Sequence, residues 1–253
     1  MKLFFIDKKS VFGLGFLIVA LIICGFCNLM SVATGTDSKE VPIYCVKTDE
    51  KKVALSFDAA WGNDDTEELI KILKEYDAVA TFFVVGAWVD KYPESVKQLS
   101  DAGHQIHNHS NTHPHMPQLS KEQMMAEITA CNEKISKITG KTPNLIRVPY
   151  GDYNNSVIET VENAKMYTVQ WDVDSLDWKD HATAESICKR VTSKVKNGSI
   201  VLFHNDAEYT PEALPQILKT LKEQGYQFVF IDDLILKDNY EIKHDGTQCK
   251  IKE

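Results

Sequence analysis

This sequence predicts an α/β fold, a distorted parallel β/α barrel of about seven strands, on three observations. Short β-rich runs alternate with helical patterns, an order that implies parallel strands joined by crossover helices. No glycine-rich phosphate loop opens the series, as a doubly wound open sheet would normally display. Several runs end in chemically loaded residues, and a parallel barrel gathers such ends at one mouth.

The first element stands apart from the rest. Lys2, Lys8 and Lys9 precede an uncharged apolar stretch over 11–30, long enough to cross a bilayer as a helix, and Ser31-Val32-Ala33 resembles a signal cleavage site. Residues 1–33 therefore read as a membrane anchor or a signal peptide. The lysines would hold the N-terminus in the cytoplasm, which puts the domain outside the cell membrane, with secretion as the alternative. Small polar residues follow, so 34–46 reads as a stalk and lead-in. Residues 47–237 form the expected catalytic domain, and the polar stretch 238–253 reads as a peripheral tail.

Strands are expected at 53–57, 80–85, 105–107, 145–148, 166–171, 199–203 and 227–231. Between them, Asp65-Thr66-Glu67-Glu68 looks like a capping box opening a helix that runs through Glu75. Met124, Ile128, Ile135 and Ile138 form one helical stripe, and Ala184, Ile187, Val191 and Val195 another. Cys131 and Cys188 continue these stripes and read as buried thiols. Gly198 and Gly225 each close a helix before a strand. Cys45 and Cys249 flank the domain, and a bridge between them would need the two ends to meet.

The whole chain of 253 residues carries a net charge of −8. The first 33 residues hold three lysines against Asp7, so the remainder is more acidic still. Such a domain is a poor partner for nucleic acid.

The chemistry concentrates at strand ends. His109-Ser-Asn-Thr-His113-Pro114 sets two imidazoles four residues apart just past a strand, a spacing that can hold one divalent metal. A hydrolase using metal-bound water also needs a base, oxyanion donors and an acid. Asp58, after the run 53–57, is the candidate base, and Arg147 could pair with it and orient it. The backbone after Pro149 could offer an N–H to an oxyanion. His204 ends an apolar strand, and Asp177 could raise its proton affinity and make it a general acid. Trp61 and Trp178 offer aromatic faces suited to a sugar ring. His104, His107, His115, His181 and His244 read as structural or solvent-facing.

In order, Ser56-Phe57-Asp58, His109-Ser110-Asn111-Thr112-His113, Arg147-Val148-Pro149-Tyr150, Asp174-Ser175-Leu176-Asp177-Trp178 and Leu202-Phe203-His204 resemble the motifs of the polysaccharide deacetylases, the NodB homology domain of carbohydrate esterase family 4. The likeness covers about 52–236. It implies a NodB-like barrel that hydrolyses the N-acetyl group of amino sugars, most naturally in cell-wall peptidoglycan. By this likeness Asp58 is the base oriented by Arg147, and His204 is the acid tuned by Asp177. His109 and His113 then bind zinc, or cobalt or manganese, while the Tyr150 N–H faces the oxyanion and Trp178 walls the pocket. One position departs from the family: its first motif carries a second aspartate, the third metal ligand, where this chain has Ala59. Asp64 or Asp65 could replace it, although capping suits their place at a helix start better, and water or Asp58 itself could complete the coordination. The expected partners are N-acetylated cell-wall polysaccharide and, through the N-terminal segment, the membrane; the expected state is a monomer. The rival readings are a decayed barrel that binds glycan without cleaving it, and an esterase acting on O-acetylated polysaccharide.

Overall fold

The computed structural model describes residues 39–251. The anchor or signal expected over 1–33, and the stalk up to residue 38, lie outside the described residues. Among the described residues, no helix is long and apolar enough to cross a membrane.

The chain order is β1 (Cys45–Val46), β2 (Lys52–Ala59), α1 (Thr66–Glu75), β3 (Ala80–Val84), α2 (Gly86–Lys91), α3 (Pro93–Asp101) and β4 (Gln105–Asn108). It continues with α4 (Lys121–Thr139), β5 (Leu145–Ile146), α5 (Asn155–Asn163), β6 (Tyr167–Thr168), β7 (Val173–Asp174), α6 (Ala184–Lys194) and β8 (Ser199–His204). The last elements are α7 (Thr210–Glu223), β9 (Gln227–Phe228), α8 (Ile231–Leu234), β10 (Tyr240–Ile242) and β11 (Thr247–Lys250).

The centre of the sheet runs β8-β2-β3-β4-β5-β6, all parallel. β2 is buried along almost its whole length, as a central parallel strand covered on both faces must be. Phe57 stacks between Phe82 and Phe203 of the flanking strands, at 4.9 and 5.3 Å between ring centroids. Each of these fully buried rings contributes roughly 1.5–3 kcal/mol by leaving water. Ala54 and Phe83 belong to a second apolar cluster, with Val169, Ile200 and Ile231.

Closure comes from one short segment. β6 pairs with β5 while β7, a few residues on, pairs with β8, so 167–174 links the two ends of the parallel run. Ile43 enters there too, with its N–H on the Thr168 carbonyl and its carbonyl taking the Gln170 N–H. The expected distorted barrel is observed, in a sheet of eleven strands among the described residues rather than about seven.

Two readings of the chain ends need correction. The polar stretch 238–253 is not peripheral: β10 and β11 form an antiparallel pair, and β11 lies parallel to β1 with Gln248 wholly buried. The lead-in likewise supplies core residues, Ile43, Cys45 and Val46. The ends of the domain therefore meet, but register sets Thr247 opposite Cys45, and both Cys45 and Cys249 are free thiols. Cys131 is buried as expected, whereas Cys188 is only partly covered.

Some helix ends follow the chemistry the sequence suggests, and one that was expected to does not. Ser120 and Gln123 form a capping box on α4, which stops at Gly140 in the left-handed region. Gly198, at φ +79°, turns the chain into β8 where a Cβ would meet the Val46 carbonyl oxygen at 1.8 Å. The exception is α1, which starts at Thr66 as expected although the Asp65 side chain makes no cap. Its carboxylate instead accepts the Asp206 N–H at 2.8 Å, an interaction 141 residues away that no local pattern announces.

Candidate active site

Parallel register builds the site. Asp58 at the end of β2 lies directly across from His204 at the end of β8. Asn108 ends β4 opposite Ile146, so His109 and Arg147 leave neighbouring strands together. A cleft of about 510 Å³ opens at these ends, lined by Asp58, Ala60, Trp61, His109, His113, Tyr150, Trp171, Asp174, Trp178, Leu202 and His204.

Asp58 and Arg147 form a buried ion pair. The guanidinium donates from Nη1 to Asp58 Oδ1 at 2.7 Å, and from Nη2 to Ser56 Oγ at 2.8 Å and to the Gln170 carbonyl at 3.1 Å. It lies 4.3 Å from the Phe83 ring centroid. Burial alone would raise the Asp58 carboxyl, but Arg147, with smaller help from His109 and His204, holds it below the usual carboxylate range. Asp58 is thus ionised in a nearly dry setting.

The two motif histidines face each other edge-on, 4.9 Å between ring centroids. His109 Nδ1 pairs with the Arg147 carbonyl at 2.7 Å, which leaves Nε2 toward Asp58 Oδ2 at 3.6 Å. Burial lowers the proton affinity of both rings, His113 to about 4, so both are neutral donors at neutral pH. The loop between them is held by side chains that sequence reasoning did not single out. Glu127 on α4 accepts the Asn111 and Thr112 N–H groups at 2.8 and 2.7 Å and the Thr112 hydroxyl at 2.8 Å. Ser110 Oγ accepts the His113 N–H at 2.9 Å.

His204 is arranged the opposite way. Asp177 takes the ring N–H at Nδ1 and the backbone N–H, each at 2.8 Å, and Thr210 donates to the same carboxylate. Burial would lower the affinity of this imidazole for a proton, but Asp177 outweighs it and the net shift is upward. Trp61 stacks on the other face of the ring, 5.7 Å between centroids and 15° from parallel. The Trp61 loop is pinned because Trp88 Nε1 and Asn205 Nδ2 both donate to the Trp61 and Gly62 carbonyls.

Tyr150 sits in the left-handed region at φ +60° and lies against His113. His115, read from the sequence as structural or solvent-facing, stacks on Tyr150 at 4.2 Å and pairs with Asp152, and so borders the site. Trp61, Tyr150 and Trp178 are 45, 61 and 54% exposed, apolar surfaces left open around a polar floor.

A model of the Polysaccharide deacetylase family matches residues 46–169. The peptidoglycan-N-acetylmuramic acid deacetylase PdaA of Bacillus subtilis is 34% identical, over 77% of this chain and 75% of its own length. A peptidoglycan-N-acetylglucosamine deacetylase of Bacillus cereus is 36% identical, over 80% of this chain and 94% of its own. This chain belongs to the polysaccharide deacetylase family. It spans 60 and 40% of the length of two other curated relatives. Among solved structures, a CE4 family pseudoenzyme from Bacillus anthracis superposes with a TM-score of 0.73 at 34% identity, covering 79% of this chain and 70% of that one. A mutant of that pseudoenzyme has restored enzymatic activity.

Against the family pattern, the metal site falls short of a donor. His109 and His113 supply two imidazoles, but no group of three or more ligating side chains assembles among the described residues. Ala59 lies in the apolar cluster with Leu69 and Trp88, 1% exposed. Neither proposed substitute reaches the cleft: Asp64 is exposed, and Asp65 is engaged with the Asp206 N–H. The residues present thus do not complete a three-ligand centre.

Proposed function

We propose that this chain is a polysaccharide deacetylase that hydrolyses the N-acetyl group of amino sugars, with peptidoglycan as its substrate. The observation that carries the reading is the pairing of opposites across one cleft: a carboxylate kept ionised by Arg147 faces an imidazole whose proton affinity Asp177 raises. Amide hydrolysis needs both a base and an acid, and a surface that only bound glycan would need neither.

In this mechanism Asp58 receives a proton from the attacking water, with Arg147 fixing the carboxylate. The tetrahedral oxyanion forms beside the Tyr150 backbone, and His204 protonates the departing amine. Trp61, Tyr150 and Trp178 receive the sugar ring. Zinc, cobalt or manganese at His109 and His113 is a separate question, answered by comparing metal-stripped and zinc-loaded protein. The apolar stretch over 11–30 supports an extracytoplasmic placement beside the cell wall, tethered or secreted.

A second reading, a glycan-binding barrel without turnover, is favoured by Ala59 together with the pseudoenzyme likeness. Acetate release from peptidoglycan and from chitin oligomers by the purified chain, with and without added zinc, separates the two. Turnover abolished by Asp58→Asn and by His204→Ala, each variant still folded, supports the first. Glycan binding with no acetate release under either metal condition refutes it.

A further inference from the structure

The His204 ring is hydrogen-bonded at one edge, where Asp177 takes Nδ1. The χ2 torsion of histidine is broad and roughly two-fold, so a single bond at the ring edge restrains the imidazole plane only loosely. A general acid must keep Nε2 aimed at the departing amine, and the plane has to be fixed from a face as well. The Trp61 indole lies on such a face, 15° from parallel, although it is itself 45% exposed. Whatever holds the indole there governs where the acid points.

Asn205 follows His204, is 3% exposed, and spends its whole amide on the segment that leaves β2. Oδ1 accepts the Ala60 N–H at 3.3 Å, and Nδ2 donates to the Trp61 and Gly62 carbonyls at 2.9 and 2.6 Å. Its backbone N–H donates to the Asp58 carbonyl at 3.1 Å, which carries the β2–β8 ladder one residue past the base and the acid. Among side chains of this length only asparagine offers one acceptor and two donors; aspartate lacks the donors, and leucine lacks all three. Trp88 Nε1 of α2 donates to the same two carbonyls, at 2.8 and 2.6 Å. The turn that bears Asn205 is itself fixed: Asp65 Oδ2 accepts the Asp206 N–H, and the Asp206 carboxylate lies so close over Gly62 that a Cβ there would meet its Oδ2 at 1.7 Å.

We propose that Asn205 is a positioning residue for the acid: through the 60–62 segment it keeps the Trp61 indole on the His204 ring and so fixes the direction of Nε2. The segment that follows the base, where Ala59 stands in place of a metal ligand, thereby serves the acid at the opposite strand end. The inference rests on the deacetylase reading for the role of His204, and its test reads the two rings directly and does not require turnover.

The experiment labels the full chain at histidine and records the ring-proton resonance of His204 by NMR, assigned by its loss in His204→Ala, at a pH below its raised titration so that protonation is the same throughout. The ring current of a stacked indole displaces that resonance, and Trp61→Leu gives its position without the stack. Asn205→Ala should move the resonance most of the way to the Trp61→Leu position although both rings are still present. Asn205→Asp, equal in size but without the two donors, should do the same, and both should lower kcat by about 10- to 100-fold. Trp88→Phe, which removes the other donor to the loop, should move the resonance in the same direction by less. A parent-like resonance in the two Asn205 variants, with only stability reduced, would make Asn205 a packing residue and overturn the proposal. Should neither Asn205 variant fold, Trp88→Phe decides alone, and an unmoved resonance overturns the proposal. The expected shifts in a chain that releases no acetate would sink the deacetylase reading and leave the bracing of His204 standing; acetate release with an unmoved resonance would do the reverse.

Discussion

Replacing Arg147 by Met leaves Asp58 buried without its partner, and the cost can be worked from the contacts. The side chain is fully buried and gives up three hydrogen bonds, to Asp58, Ser56 and the Gln170 carbonyl. Methionine fills much of the space beside Phe83, so the dominant loss is an uncompensated carboxylate, about 3–5 kcal/mol. At an m-value of roughly 2–3 kcal/mol/M, the urea midpoint should fall by about 1–2 M. The pH dependence gives a second signature. In the parent, the Asp58 carboxyl sits below its ordinary 3.8, so its stabilising effect is present above 3.8 and is lost as pH falls through the lower folded value. In Arg147→Met burial takes over and raises the carboxyl, so the variant gains stability as pH falls through that raised value, and the gap to the parent narrows on acidification. Adding Asp58→Asn removes the stranded charge, and the double variant should recover about 2–3 kcal/mol relative to additivity. Equilibrium unfolding of the four proteins at pH 7 and pH 5 tests this. A midpoint for Arg147→Met equal to the parent's, or strict additivity in the cycle, would refute the argument that the pair is an ionised, mutually dependent unit.

Three further outcomes are expected. Asp177→Asn removes the carboxylate that raises His204, so the alkaline limb of kcat/KM, where a general acid loses its proton, should move to lower pH as turnover falls; an unmoved limb would exclude His204 as that acid. Glu127→Ala frees the Asn111 and Thr112 N–H groups and should cost about 1–2 kcal/mol of stability and lower turnover, with Glu127→Gln intermediate; full activity in Glu127→Ala would show that the loop needs no clamp. His104 and His107 are held neutral by burial, each lowered from 6.5 to about 4, so stability is full above pH 6.5 and falls as pH drops toward 4, by about 3 kcal/mol for each ring. Unfolding of His107→Gln across that range should show a shallower slope, and an unchanged slope would mean that His107 is already charged in the fold.

The parts of this architecture legible in the sequence are those written in local pattern. Apolar β-rich runs marked the central strands, because a parallel strand buried on both faces must be apolar nearly throughout. The strand ends then exposed Asp58, His109, Arg147 and His204 as polar residues where apolar ones were due. What escaped notice depends on partners distant in sequence. β10 is polar as an edge strand, and β11 is polar although it lies between β10 and β1, so the two together look like a tail. Glu127 occupies an ordinary helical position, and only its reach across to the 109–113 loop makes it more than a surface charge. Thr210 opens α7, and its hydroxyl meets Asp177, 33 residues away. His115 reads from the sequence as structural or solvent-facing because only the fold brings Tyr150 against it.

Arg147 serves two neighbours through different atoms: its side chain holds Asp58 and its main-chain carbonyl holds His109. A shift of the chain at the end of β5 would therefore carry the anchors of both groups in the same direction. The base and the imidazole are coupled mechanically as well as electrostatically, sharing one hinge post with two arms. Side-chain replacement cuts only one arm. Arg147→Met should leave His109 facing the cleft while Asp58 is released, so orientation of the histidine pair and ionisation of the base can be lost one at a time, although a single residue supports both.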